Sequence, residues 1–322
     1  MKALRIEDCG LRRHQGVALA FVFLLGARTA GACPCSDDAG GGSALVRDDE
    51  RYAASLVATS RHALGRFDAF GHYSTLGGLE AEASEELLLR VGLRLPRRVE
   101  WLAELGYAAY RFHSPWLVER RAGVGDALLH LRVSVHDEDM PHVSLRLPAL
   151  WLSGLLRAPL GAIAQSGSSG FGSGGAQLGL GAWEAGAGLE AKRGILPHLE
   201  LLLGAEGAYR FEDHALGPER AQARRLGPRA DVAVGVRVLP MQWLAGSLAL
   251  RLRMTSDVTL AAQRLPGTAE RLWSVVVGAA VYERATRLRS SITLSVDPPL
   301  DSFSVGSTAA AALGVALGYG AD

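Results

Sequence analysis

The stretch His198–Glu212, HLELLLGAEGAYRFE, separates by twos into two unlike faces. Leu199, Leu201, Leu203, Ala205, Gly207, Tyr209 and Phe211 share one face; His198, Glu200, Leu202, Gly204, Glu206, Ala208, Arg210 and Glu212 share the other. Successive side chains of a β-strand point to opposite sides, so this is a strand with one apolar face and one mostly polar face. Ordinary strands run ~5–6 residues, whereas crossing a bilayer at a tilt takes ~9–11. A strand of this length, with aromatics at one end of its apolar face, fits a wall that has lipid on one side and water or packed charge on the other.

The chain has 322 residues and a formal net charge of +1, a balance that argues against nucleic acid as a partner. Arg12 and Arg13 precede the uncharged run Gly16–Gly26, and Ala30-Gly31-Ala32 follows as a cleavage position. The run is too short for a spanning helix, so residues 1–32 read as a secretory signal that carries Glu7 and Asp8 in its basic region. Cys33 and Cys35 follow the cleavage position. Cys33 is a candidate lipidation site, and Cys33 with Cys35 a candidate metal clasp or an idle pair on a lead-in. Residues 33–50, with Gly40–Gly42 and repeated Asp, read as a periplasmic linker, and 51–320 as the membrane domain.

Alternation of this kind recurs along that domain. It begins at Tyr52–Arg61 and continues through Glu86–Leu95, Trp101–Phe112, Asp126–His136, His142–Leu147 running on towards Arg157, and Gln177–Lys192. After the opening stretch come Ala230–Val238, Met241–Thr255, Leu272–Tyr282, Arg287–Val296 and Gly306–Tyr319. The fold class is therefore all-β: an antiparallel transmembrane β-barrel of about twelve strands in the outer membrane of a Gram-negative bacterium. Short turns near Pro96, Asp137–Pro141, Gly194–Pro197, Pro240 and Glu283–Thr286 alternate with longer links, as periplasmic turns alternate with external loops. Trp101, Trp243 and Tyr282 beside short turns are candidates for an aromatic girdle.

A charge on the lipid face at bilayer depth costs ~2–4 kcal/mol, so the charged set must line the lumen. It comprises Arg90, Arg94, Glu104, His130, Arg132, Arg146, Glu184, Glu190, Glu200, Glu206, Arg210, Asp231, Arg237, Arg251, Arg253, Arg287 and Arg289. Two readings stand: a polar pathway for a small solute, or paired charges bracing a closed, non-conducting barrel that works through its surface. With a turn centred on Arg97, Arg90 falls opposite Glu104, which illustrates the brace. The turn His136–His142 offers metal ligands but also suits a plain polar turn. Nothing singles out an enzyme: the chain has no Asn for a Ser-His-Asn hydrolase, and neither of its lysines, Lys2 and Lys192, follows Gly as a phosphate loop requires. No cofactor is expected. The expected partners are membrane lipid, a small-molecule solute and the outer-membrane assembly machinery.

Gly123-Val124-Gly125-Asp126 followed by ALLHLRV resembles the outer-membrane barrels associated with the meta-pathway of phenol degradation. The pattern covers residues ~51–320. The resemblance implies a transporter, loosely related in role to the channels for fatty acids and aromatic hydrocarbons, and does not name a solute; a small hydrophobic or aromatic one is among the expectations. The chain departs from such barrels in ending Tyr319-Gly320-Ala321-Asp322 rather than on an aromatic residue, and in lacking the long plug of the fatty-acid channels.

Overall fold

A computed structural model describes residues 50–67, 72–77, 80–95, 99–115, 118–136, 148–160, 182–196, 198–216, 221–241, 243–260, 262–265, 269–298, 303–304 and 308–321. Among these lie twelve long strands and no helix. They are β1 (Tyr52–Phe67), β2 (Ala81–Leu95), β3 (Val99–His113), β4 (Val118–His136), β5 (Ala149–Ala158) and β6 (Glu184–Leu196). There follow β7 (Leu199–Arg210), β8 (Arg229–Met241), β9 (Leu244–Thr255), β10 (Glu270–Glu283), β11 (Leu288–Val296) and β12 (Thr308–Ala321). Each pairs antiparallel with the next, and β12 returns to β1 from Tyr52↔Ala321 to Arg66↔Thr308, so the sheet closes on itself. Both terminal strands reach the end of the barrel that carries the short turns.

Closure is what the apolar pattern requires. The row Leu201, Val236, Leu248, Val277, Leu294, Leu313 runs side by side across six strands. Leu248 is 51% exposed, and Leu294, Val277 and Leu313 are nearly as open. The largest apolar patch on a soluble monomer is about 300–600 Å², so a belt of this kind needs lipid around it. The chain therefore has the fold of an outer-membrane β-barrel.

Several strands are longer than their sequence pattern, and on β2, β4 and β10 the excess lies at the end with the longer connections. The β2 stretch Ala81–Glu85 continues the ladder, and Arg111 meets Glu85 on the outer face there, both well exposed. Above the lipid the outer face has no need of apolar residues, so alternation fades while hydrogen bonding continues. β4 begins at Val118, eight residues before the expected Asp126, because a bulge interrupts its parity. Leu105 pairs with Ala127 but Tyr107 pairs with Val124, leaving one extra residue in β4 at Gly125-Asp126. The links after β7 and β9 are partly ordered: Asp213–Leu216, Ala221–Arg225, Thr259–Leu260 and Gln263–Arg264 form a separate four-stranded sheet.

Glycine serves close packing on the lumen side of β6. A Cβ on Gly186 would lie 2.6 Å from the Gly207 carbonyl oxygen and 2.9 Å from Leu155 Cδ2. At the short-turn end Trp101, Tyr52 and Tyr319 are exposed on the lipid side, whereas Tyr282 is buried opposite Arg289 and belongs to the interior. The expected start of strand five at His142–Leu147, and residues 177–181 of strand six, lie outside the described residues.

The face assignment yields a test in adjacent residues of β9. Leu250 lies on the belt between Val234 and Val275, while Arg251 faces inward. Leu250→Arg should cost ~2–4 kcal/mol near mid-bilayer. Arg251→Leu should leave folding nearly intact. Urea unfolding in lipid, read with the heat-induced gel shift of the folded barrel, measures both; equal losses would show that this register is drawn one residue out.

Candidate functional site: the charged lumen

Period two carries one face of every strand inward, and the ladder stacks those faces across neighbours. Near the short-turn end, Arg94 at the bottom of β2 donates from Nε to Glu100 Oε1 of β3 at 3.1 Å. Glu100 Oε2 lies 3.6 Å from Arg132 Nη1, and Arg132 Nη2 lies 2.8 Å from Glu190 Oε2. Trp151 of β5 is flanked by two cations, with Arg132 at 4.4 Å and the Lys192 ammonium at 5.6 Å from its ring centre. Arg90 and Glu104, directly opposite in the ladder, approach to 3.2 Å. Arg237, buried, donates from Nε to Glu200 Oε2 at 2.6 Å. Arg289 pairs with Glu50, whose buried carboxyl occupies the space a side chain on Gly320 would need. His130 is buried on the same face of β4 as Arg132.

A second cluster sits nearer the loop end. Glu184, at 0% exposure, takes Arg210 Nε at 2.8 Å, Arg229 Nη2 at 3.1 Å and Arg157 Nε at 3.7 Å. Arg229 also pairs with Glu206 and sets Nη1 2.6 Å from Asp231 Oδ2. Asp231 Oδ1 accepts from Arg253 Nε at 3.0 Å and Arg251 Nε at 3.2 Å. Five guanidiniums are thus joined through three carboxylates on β5 to β9.

The opposite wall differs in kind. On β11, β12 and β1 the inward positions between Arg289 and Arg61 are Ser291, Thr293, Ser295, Ala312, Gly314, Ala316, Gly318, Ser55, Thr59 and the buried Val57. Thr293, Gly314 and Thr59 lie abreast. At the loop end of this wall Arg61 Nη2 donates to Asp297 Oδ2 at 2.8 Å, and Ser274 Oγ donates to Asp297 Oδ1 at 2.6 Å. The lumen is therefore divided between a half filled by ion pairs and a half lined by hydroxyls and small side chains.

One expected position falls elsewhere. Arg287 is not on a strand: it ends the turn between β10 and β11 with φ 56°, and its carbonyl accepts from Gly320 N–H. That left-handed backbone breaks the alternation which made it look like a lumen residue. Arg146, Cys33 and the residues 137–142 of the candidate metal turn lie outside the described residues. Arg157, Arg229, Glu100 and Arg61 were missed as lumen groups. For Arg229 the signal was present, since Asp231 two residues on fixes its face.

No family model matches this chain, and no curated protein matches it. An outer membrane channel of Pseudomonas putida F1, solved by crystallography, has 13% identity and a TM-score of 0.69, covering 86% of this chain and 97% of that one. The KdgM porin has 6% identity and a TM-score of 0.44, covering 83% and 99%. The NanC porin has 10% identity and a TM-score of 0.44, covering 83% and 98%. At these identities the likeness to the Pseudomonas putida channel is one of fold.

Glu184→Gln removes the carboxylate that joins three guanidiniums and leaves them crowded without it. The expected loss is ~3–5 kcal/mol, since a buried charge loses its partner. Glu85→Gln, which breaks the exposed outer pair with Arg111, should change stability by no more than ~1 kcal/mol. Urea unfolding of both variants compares them, and a Glu184→Gln barrel as stable as the parent would show that the cluster does not brace the wall.

Proposed function

We propose that this chain is an outer-membrane channel for a small solute, and that the solute passes along the hydroxyl-lined wall of β11, β12 and β1. The observation that carries this reading is the accessible surface kept by Ser291, Thr293 and Thr59 at mid-height inside a closed barrel. A lumen packed solid would bury them, as it buries Arg237 and Glu184. The ion pairs on β2 to β9 brace the other half.

The resemblance of the Gly123–Asp126 motif to barrels of phenol degradation favours an aromatic or hydrophobic solute. The lining adds that such a solute should carry a polar group, because hydroxyls and guanidiniums face the space. The competing reading, a non-conducting barrel that acts through its surface, draws on the density of the paired charges. Planar-bilayer recording separates the two. Purified protein should give discrete conductance steps, and Thr293→Trp should lower their size while Leu202→Trp, on the ion-paired side, lowers it less. Absence of steps together with absence of solute uptake into vesicles would establish the closed barrel.

A further inference from the structure

We propose that Arg251 and Arg253 form a binding site for a carboxylate on the path just described; this rests on the channel reading and names the class of solute it would select. The two residues are separated by one position on β9 and both face the lumen. Both converge on a single oxygen, Asp231 Oδ1, through Arg251 Nε at 3.2 Å, Arg251 Nη2 at 3.1 Å and Arg253 Nε at 3.0 Å. The other oxygen, Oδ2, already accepts from Arg229 at 2.6 Å. One carboxylate therefore serves three guanidiniums.

A guanidinium has five N–H donors in a fixed plane. Among the described residues, both terminal nitrogens of Arg253 and Nη1 of Arg251 meet no acceptor. These side chains are 34% and 38% exposed, against 9% for Arg229 and 12% for Arg210 in the same cluster. The donors thus stand at the accessible edge of the cluster, towards the loop end of β9. Planar forks of this kind take a carboxylate by two parallel charge-assisted hydrogen bonds.

Glu270 and Asp297 act on Arg253 through space without reaching its donors. Asp297 is held by Arg61 and Ser274, which occupy both of its oxygens. Glu270, at the loop end of β10, makes no hydrogen bond or ion pair to either arginine. Leu272 and Ser274 stand across the ladder from Arg253 and Arg251. A solute bearing a carboxylate at one end and a ring or short chain at the other would place its charge on the two forks and its body against Leu272 and Ser274.

The test uses the purified full-length barrel with benzoate, inorganic phosphate and benzyl alcohol as probes. Benzoate should reduce the chloride current at concentrations where benzyl alcohol does not, and phosphate should act more weakly than benzoate. Arg251→Gln with Arg253→Gln should raise the half-blocking benzoate concentration by at least about tenfold. Arg111→Gln on the outer face should leave it unchanged. Arg253→Lys, which keeps charge but removes the fork, should fall between, and the heat-induced gel shift confirms that each variant is folded. Calorimetric titration of benzoate into detergent-solubilised protein reads the site without any current. Absence of current with benzoate heat retained would remove the channel reading and keep the site; current with equal sensitivity to benzoate and benzyl alcohol, or unchanged by the double substitution, would overturn the site. Phosphate acting more strongly than benzoate would overturn the assignment to carboxylates.

Discussion

No backbone N–H or carbonyl can be left unpaired inside a hydrocarbon layer, and the rest of this structure follows from that. In lipid each unsatisfied group costs several kcal/mol, and a sheet escapes the cost only by having no edge. The ladder between β1 and β12 meets this condition, with Arg51 N–H and the Ala321 carbonyl extending it to the barrel's rim. Once the sheet is closed, period two leaves no freedom. Every second residue meets lipid and the remainder share an interior too narrow for long side chains to ignore one another.

Charge in that interior is organised by reach. Strands β2 to β9 carry Arg, Glu and Asp at depths where neighbouring strands offer the opposite sign, so each group finds a partner one or two strands away. Such contacts gain little when exposed, but a buried charge without its partner is costly, so the set is held together as a set. Gly186 and Gly188 belong to the same arrangement. They lie between Glu184 and Glu190 on the inward face of β6, where a Cβ would strike the backbone of β7 or the Ser153 hydroxyl. The glycine-rich run of β6 is thus the space in which the β5 and β7 side chains meet.

The barrel itself was legible because lipid enforces alternation. Twelve strands could be drawn in order, and most of their charged residues given a face, from Leu, Val and Arg positions alone. Legibility stopped where lipid stops. Ala81–Glu85 and Val118–Gly125 remain strand with mixed outer faces, so nothing in their composition separates them from loop. It stopped also at backbone irregularities: the bulge at Gly125-Asp126 changes the parity of β4, and the positive φ of Arg287 takes that residue out of its strand. Pairing across non-adjacent strands was hidden as well. The link from Arg229 to Glu184 joins residues that are distant in sequence, and it needs the tilt and stagger of the barrel to bring β8 within reach of β6.

The division of the lumen into an ion-paired half and a half lined by hydroxyls and small side chains has a consequence for how such a barrel can change. The packed half is a continuous network from Arg157 on β5 to Arg253 on β9, in which Glu184, Arg229 and Asp231 each hold two or more partners. Removing an interior member exposes several charges at once, so substitution there is constrained by stability. Between the Arg61–Asp297 pair at its loop end and the Arg289–Glu50 pair at its turn end, the middle of the hydroxyl wall has no such coupling among the described residues. Thr293 and Thr59 flank Gly314, where an added Cβ would find its nearest atoms at 3.6 Å, an ordinary contact. Size and polarity of the lining around Thr293, Gly314 and Thr59 can therefore be altered residue by residue while the brace on the other side is left untouched. A barrel built this way separates the requirement to stay folded, carried by the interior members of the network, from the requirement to select a solute, which falls to the wall and to Arg251 and Arg253 at the edge of the network.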